Sequence, residues 1–161
     1  MLKFENTACI EASRETVWNA LADLEKVSWW AEPVLEAHCD NANGGVGALR
    51  VCKLKGNMEI RERWTAWEPG ESFTYIGEGM PLVQFAKNTW SIHEQNGMIL
   101  VKSRAEFTFK GGLMGRLLEI PMGLMMKRMG PQALAGLKYW VENGCAYKGD
   151  MSKLPLAPVS C

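Results

Sequence analysis

VQFAKNTWSIHEQNGMILVKSRAEFTF, residues 83–109, sets two alternating runs around the dipeptide Asn96-Gly97. Asn-Gly supplies the left-handed pair of a two-residue hairpin turn. That register places Ile92 opposite Val101, Trp90 opposite Ser103, Asn88 opposite Ala105 and Ala86 opposite Phe107. Lys87, Thr89, Ser91, His93, Lys102, Arg104 and Glu106 take the other face, so the face with Trp90, Ile92 and Val101 points inward. A long hairpin with one apolar face must be covered by a second layer.

Upstream turns extend the same face. A four-residue loop at Glu68-Pro69-Gly70-Glu71 pairs Ala66 with Phe73 and Trp64 with Tyr75, turning Arg61, Arg63 and Thr65 outward and Glu62 inward. Two registers are open at Gly56-Asn57. A two-residue loop sends Arg50 outward with Arg63. A three-residue loop over 55–57 pairs Leu54 with Met58, Cys52 with Ile60 and Arg50 with Glu62. The second leaves a single apolar face and is preferred.

Turn signals divide the middle of the chain into strands near 34–40, 48–55, 58–67, 72–78, 83–94 and 98–109. An earlier strand, Lys3 to Glu11, has Leu2, Phe4, Ala8 and Ile10 on one face. Ser13 then caps a helix through Val17, Trp18, Leu21 and Leu24, and a shorter helix covers Glu25 to Trp30 before Pro33. From Gly112 to Asn143 the pattern is helical, with bends or breaks expected at Pro121 and Gly130-Pro131. The expected fold is α+β: a curved seven-stranded antiparallel sheet, two short helices after the first strand, and one long C-terminal helix. Residues 1–144 form the domain, and 145–161, with Pro155 and Pro158, are expected to be a loosely held tail.

Composition narrows the function. Eighteen basic residues balance eighteen acidic ones among 161, without the basic excess of a nucleic-acid binder. No apolar run reaches the length of a membrane span, and the opening MLKFENTACIEAS has no signal-peptide h-region. Five cysteines with no C-x-x-C and no Cys/His cluster read as reduced residues of a cytoplasmic protein, without disulfide or metal site. Gly45-Val46-Gly47 lies between strands, and Gly111-Gly112-Leu113-Met114-Gly115 lacks the Lys-Ser/Thr of a phosphate loop, so no cofactor is implied. His38 and His93 face outward, which argues against a histidine-based triad.

The inward face is mostly apolar, with Arg50, Glu62, Tyr75, Asn88 and Ser103 projecting into it. Apolar pockets with a few placed polar groups are how small-molecule sites are built. The candidate ligand-binding residues are Arg50, Glu62, Trp64, Tyr75, Asn88, Trp90, Ser103 and Phe107, with Met125 and Met129 from the long helix as an adaptable lid. Arg50 and Glu62 also read as a plain ion pair beneath the sheet.

The order of these elements resembles the SRPBCC superfamily of START-like and pollen-allergen-like helix-grip proteins, nearest its polyketide cyclase/dehydrase and lipid-transport branch. The residues carrying the resemblance are Ile10-Glu11-Ala12-Ser13, Val17-Trp18, Leu21-Ala22-Asp23-Leu24 and Trp29-Trp30, then Gly45 to Arg50, Glu62-Arg63, Trp67-Glu68-Pro69-Gly70, Leu137-Lys138 and Glu142. They span roughly residues 3 to 144. The resemblance implies a helix-grip fold and a cavity for a hydrophobic or amphipathic ligand, faced by Glu62 and Arg50, with no shared catalytic machinery. Three functions follow as expectations. The first is binding or transport of such a ligand. The second is a cyclase/dehydratase-like enzyme using Glu62 as acid/base. The third is a co-chaperone-type interaction module.

Overall fold

Alternation and turn chemistry produce one sheet whose hairpin registers follow the turns. The computed structural model describes residues 1–161. Its strands are β1 (Leu2–Ile10), β2 (Val34–Cys39), β3 (Leu49–Leu54), β4 (Met58–Glu68), β5 (Ser72–Glu78), β6 (Val83–Gln95) and β7 (Met98–Phe109). All seven pair antiparallel in the order β1-β7-β6-β5-β4-β3-β2. Asn96 and Gly97 both have positive φ, and Trp90 pairs with Ser103 and Ile92 with Val101 as that turn requires. The turn over 55–57 takes the three-residue form, setting Arg50 against Glu62 and Cys52 against Ile60.

One expected pairing shifts. Trp64 does oppose Tyr75, but a bulge follows, so Ala66 opposes Thr74, and Trp67 rather than Ala66 opposes Phe73. The extra residue lets Trp64 and Trp67 both turn inward onto Phe73, with ring centroids 5.9 and 5.4 Å away. Without the bulge, strict alternation would send Trp67 to solvent.

Ser13 Oγ accepts the Thr16 amide and caps α1 (Arg14–Ala22), which buries Val17, Trp18, Ala20 and Leu21. A 3-10 segment over Leu24–Trp29 follows. The long helix α2 runs unbroken from Leu113 to Asn143 with Pro121 and Pro131 inside it, so the expected breaks do not occur. Pro121 lies on the exposed side, where water can satisfy the carbonyl it leaves free. Gly130 is a packing notch instead of a stop: a Cβ there would collide with the Asn6 amide on β1. Gly136 serves likewise, since its Cβ would lie 2.5 Å from the Trp30 carbonyl oxygen. These close approaches hold α2 on the sheet with Leu134 and Leu137 buried beneath it.

The C-terminal segment is not loose. Cys161 is disulfide-bonded to Cys9, which corrects the reading of five reduced cysteines. The Cys9 amide donates to Pro158 O at 2.7 Å and Thr7 Oγ1 to Val159 O at 2.7 Å, so the segment caps the free edge of β1. Gln95 and Asn96 side chains hold Cys161 from the β6–β7 turn. Cys39, Cys52 and Cys145 remain free thiols. A stable disulfide belongs to an oxidising setting, so the cysteines no longer support a cytoplasmic location. No helix is long and apolar enough to cross a membrane.

Candidate functional site

The β3–β4 register brings two opposite charges together under the sheet. Arg50 Nε donates to Glu62 Oε2 at 2.7 Å, and Nη2 lies 2.6 Å from the same oxygen. Nη1 donates to the Leu24 carbonyl at 2.9 Å, tying the sheet to the 3-10 segment. The guanidinium carbon sits 4.9 Å from the Trp64 ring centroid and 5.7 Å from that of Tyr75. Burial works against the charge of Arg50, yet the Glu62 carboxylate prevails and raises its pKa above the ordinary value. The Cys52 thiol donates weakly to Glu62 Oε2 at 3.5 Å, and burial, then the Glu62 charge, pushes it up to about 12. Every hydrogen bond to Glu62 thus falls on Oε2.

A neutral polar row crosses the next three strands. Ser103 Oγ donates to Asn88 Oδ1 at 3.3 Å, and Asn88 Nδ2 donates to the Tyr75 hydroxyl at 3.1 Å. Burial, followed by the nearby Glu62 charge, raises the Tyr75 pKa, so this hydroxyl keeps its proton and can donate. The indole Nε1 groups of Trp30 and Trp64 are buried without an acceptor. Orphaned donors of this kind are uncommon in a native core.

Helix α2 rests along β1 and touches β7 far less, leaving part of the concave face uncovered. Ile60, Tyr75, Asn88 and Phe107 on that face remain half-buried although they point inward. Met122, Met126 and Met129 on α2 are half-buried too, and their spacing puts them on one side of the helix.

The expected cavity is not a wide empty chamber at the ion pair. Trp30, Trp64, Trp90 and Phe73 fill the interior there, with Trp30 and Trp90 edge-to-face at 5.3 Å. Two separate surface clefts, of about 320 and 240 Å³, lie elsewhere. One is formed by the 3-10 segment and residues 147–151, the other by β1, α2 and the C-terminal segment.

Residues 1–142 match the family described as polyketide cyclase / dehydrase and lipid transport. The chain belongs to this family. Its fold is the helix-grip fold, shared with solved structures of low identity. Ara h 8.0201 is 13% identical, with 88% of this chain and 98% of that chain covered and a TM-score of 0.66. A protein from Thermus thermophilus is 17% identical, with 89% and 99% covered and a TM-score of 0.72. The di-domain ARO/CYC StfQ of the steffimycin biosynthetic pathway is 12% identical, with a TM-score of 0.73; 88% of this chain is covered but only 51% of StfQ. No curated protein matches the chain by sequence search.

Within this helix-grip frame the candidate residues divide in two. Arg50, Glu62, Trp64, Trp90 and Ser103 are buried, with Trp64 against the Arg50 guanidinium. Tyr75, Asn88, Phe107 and Met129 are half-buried. Met125 does not join them. It is 44% exposed, more than Met122, Met126 and Met129, although its three- and four-residue spacing from Met122 and Met129 puts it toward the same side of α2. Met122 and Met126 are half-buried beside Met129. The Leu24 carbonyl, which completes the bonding of Arg50, had no signal in the sequence.

Proposed function

We propose that this family member binds an amphipathic small molecule in the groove between α2 and the concave faces of β4 to β7. The observation that carries the reading is the half-burial of inward-facing side chains on both walls. Core positions normally close completely when nothing else must fit. The ligand's apolar body would lie against Ile60, Phe107, Met122, Met126 and Met129, and its polar end would meet Tyr75 and Asn88. A carbonyl or hydroxyl suits that end, because both residues offer neutral donors and no free charge. Arg50 and Glu62 satisfy one another and act as the support that fixes Trp64 and Tyr75 behind the ligand.

The family description and the ARO/CYC neighbour also admit an enzymatic reading, in which Glu62 Oε1, free of hydrogen bonds, takes part in proton transfer. Native mass spectrometry of the purified protein, followed by extraction, tests the binding reading. A retained small molecule that is lost or weakened in Tyr75→Phe and Asn88→Ala supports it. Loss of one neutral hydrogen bond corresponds to roughly a three- to tenfold drop in affinity. Turnover of a bound polyketide-like compound that stops in Glu62→Gln would instead favour the enzyme.

A further inference from the structure

The outer side of the first half of α2 is apolar where a surface helix should be polar. Leu113, Leu117, Ile120 and Leu124 follow one another at four-, three- and four-residue steps and so form a single stripe. All four are between 64% and 79% exposed. Leu82 extends the stripe: it is exposed, held at φ 63°, and its carbonyl accepts the Lys110 amide at 2.8 Å just before the helix begins. A leucine in the left-handed region is strained, so the fold holds an apolar side chain at the surface where glycine would be easier.

The charges around this stripe have one sign. Arg116 and Lys127 flank it on one side, Arg128 on the other, and Lys110 precedes it; all are exposed. Glu119, the one carboxylate in this part of the helix, turns to the inner side and lies 3.4 Å from the N-terminal amine. The whole chain is formally neutral, so this basic rim is a local feature.

We propose that this face of α2 docks on an anionic lipid surface. An aliphatic stripe with cations along both flanks is the pattern of a helix lying in a membrane interface, with leucines in the acyl boundary and cations among the headgroups. A two-fold dimer through the same stripe would set like charges against one another. A protein partner is the weaker match, because the face holds no Trp or Tyr of the kind that anchors such interfaces. This inference uses the opposite side of α2 from the groove and does not depend on the proposed ligand.

Vesicle flotation tests it with the full chain and two preparations, phosphatidylcholine alone and phosphatidylcholine with one quarter phosphatidylglycerol. Binding should be at least about tenfold stronger to the anionic vesicles and should fall at high salt. Leu117→Ser with Leu124→Ser should abolish it, and Arg116→Glu with Lys127→Glu should remove the preference for phosphatidylglycerol. These positions are exposed, and an unchanged far-ultraviolet circular dichroism spectrum verifies that each variant is folded. No binding to either vesicle overturns the proposal, as does equal binding to both. A stripe-dependent dimer in light scattering, without vesicle binding, would assign the face to a second copy. Stripe-dependent capture of an acidic protein, again without vesicle binding, would assign it to a protein partner. Either result overturns the lipid proposal.

Discussion

Arg50 and Glu62 face one another across β3 and β4, with two guanidinium nitrogens 2.7 and 2.6 Å from one carboxylate oxygen. Both side chains are under a tenth exposed, so neither charge has water to fall back on. Glu62→Gln keeps the shape and leaves the guanidinium facing a neutral amide. It should destabilise the fold by about 1–3 kcal/mol in urea unfolding, whereas Glu62→Ala should cost about 3–5 kcal/mol. Replacing both partners, Arg50→Met with Glu62→Leu, should recover much of that loss. Additive losses in the double variant would show that the two residues are not coupled.

The raised thiol of Cys52 gives an alkaline signature. Its folded-state pKa, about 12, lies above the ordinary value of 9.0, so the folded protein holds this proton more tightly than the unfolded chain. The stabilisation is therefore fully present below about pH 9 and is lost as pH rises toward 12, with a slope of at most about 1.4 kcal/mol per pH unit. Tyr75 shifts in the same direction and adds a loss that starts near its ordinary value of 10.0. Urea unfolding at pH 8 and at mildly alkaline pH should show a smaller decline in Cys52→Ala than in the parent. Equal declines would mean that the thiol is not held in an apolar, anion-facing site.

Cys9 and Cys161 join positions 152 residues apart, so their bond closes nearly the whole chain into a loop. Under denaturing, non-reducing conditions, thiol titration should count three free groups, Cys39, Cys52 and Cys145, and five after reduction. Cys161→Ser should lower stability by about 2–4 kcal/mol and open the segment after Gly144 to proteolysis. Five reactive thiols before reduction would contradict the closed form.

Much of the fold was legible because turns set register and register sets faces. Asn96-Gly97 and the 55–57 turn together located Arg50, Glu62, Trp90 and Ser103 on the concave side. The bulge before Trp67 was hidden, since alternation alone does not reveal that two tryptophans compete for one face. Pro121 and Gly130-Pro131 read as breaks because local propensity points that way. Tertiary packing of Gly130 on Asn6 and Gly136 on Trp30 overrides it. The Cys9–Cys161 bond depends on where the last residues return in space, which no local pattern records. The half-buried inward positions Tyr75 and Asn88 were legible from the hairpin registers, whereas the greater exposure of Met125 depends on how α2 sits on the sheet, which the helical period does not give.

Binding in the groove is tested most directly by nuclear magnetic resonance on protein labelled at its methionine methyl groups, titrated with 1-anilinonaphthalene-8-sulfonate as an amphipathic probe. Met122, Met126 and Met129 are half-buried on one side of α2, while Met114 is 70% exposed near the start of the helix. The account predicts saturable shifts at Met122, Met126 and Met129, weakened in Tyr75→Phe. Shifts confined to Met114, or no shifts at all, would contradict a ligand site between sheet and helix.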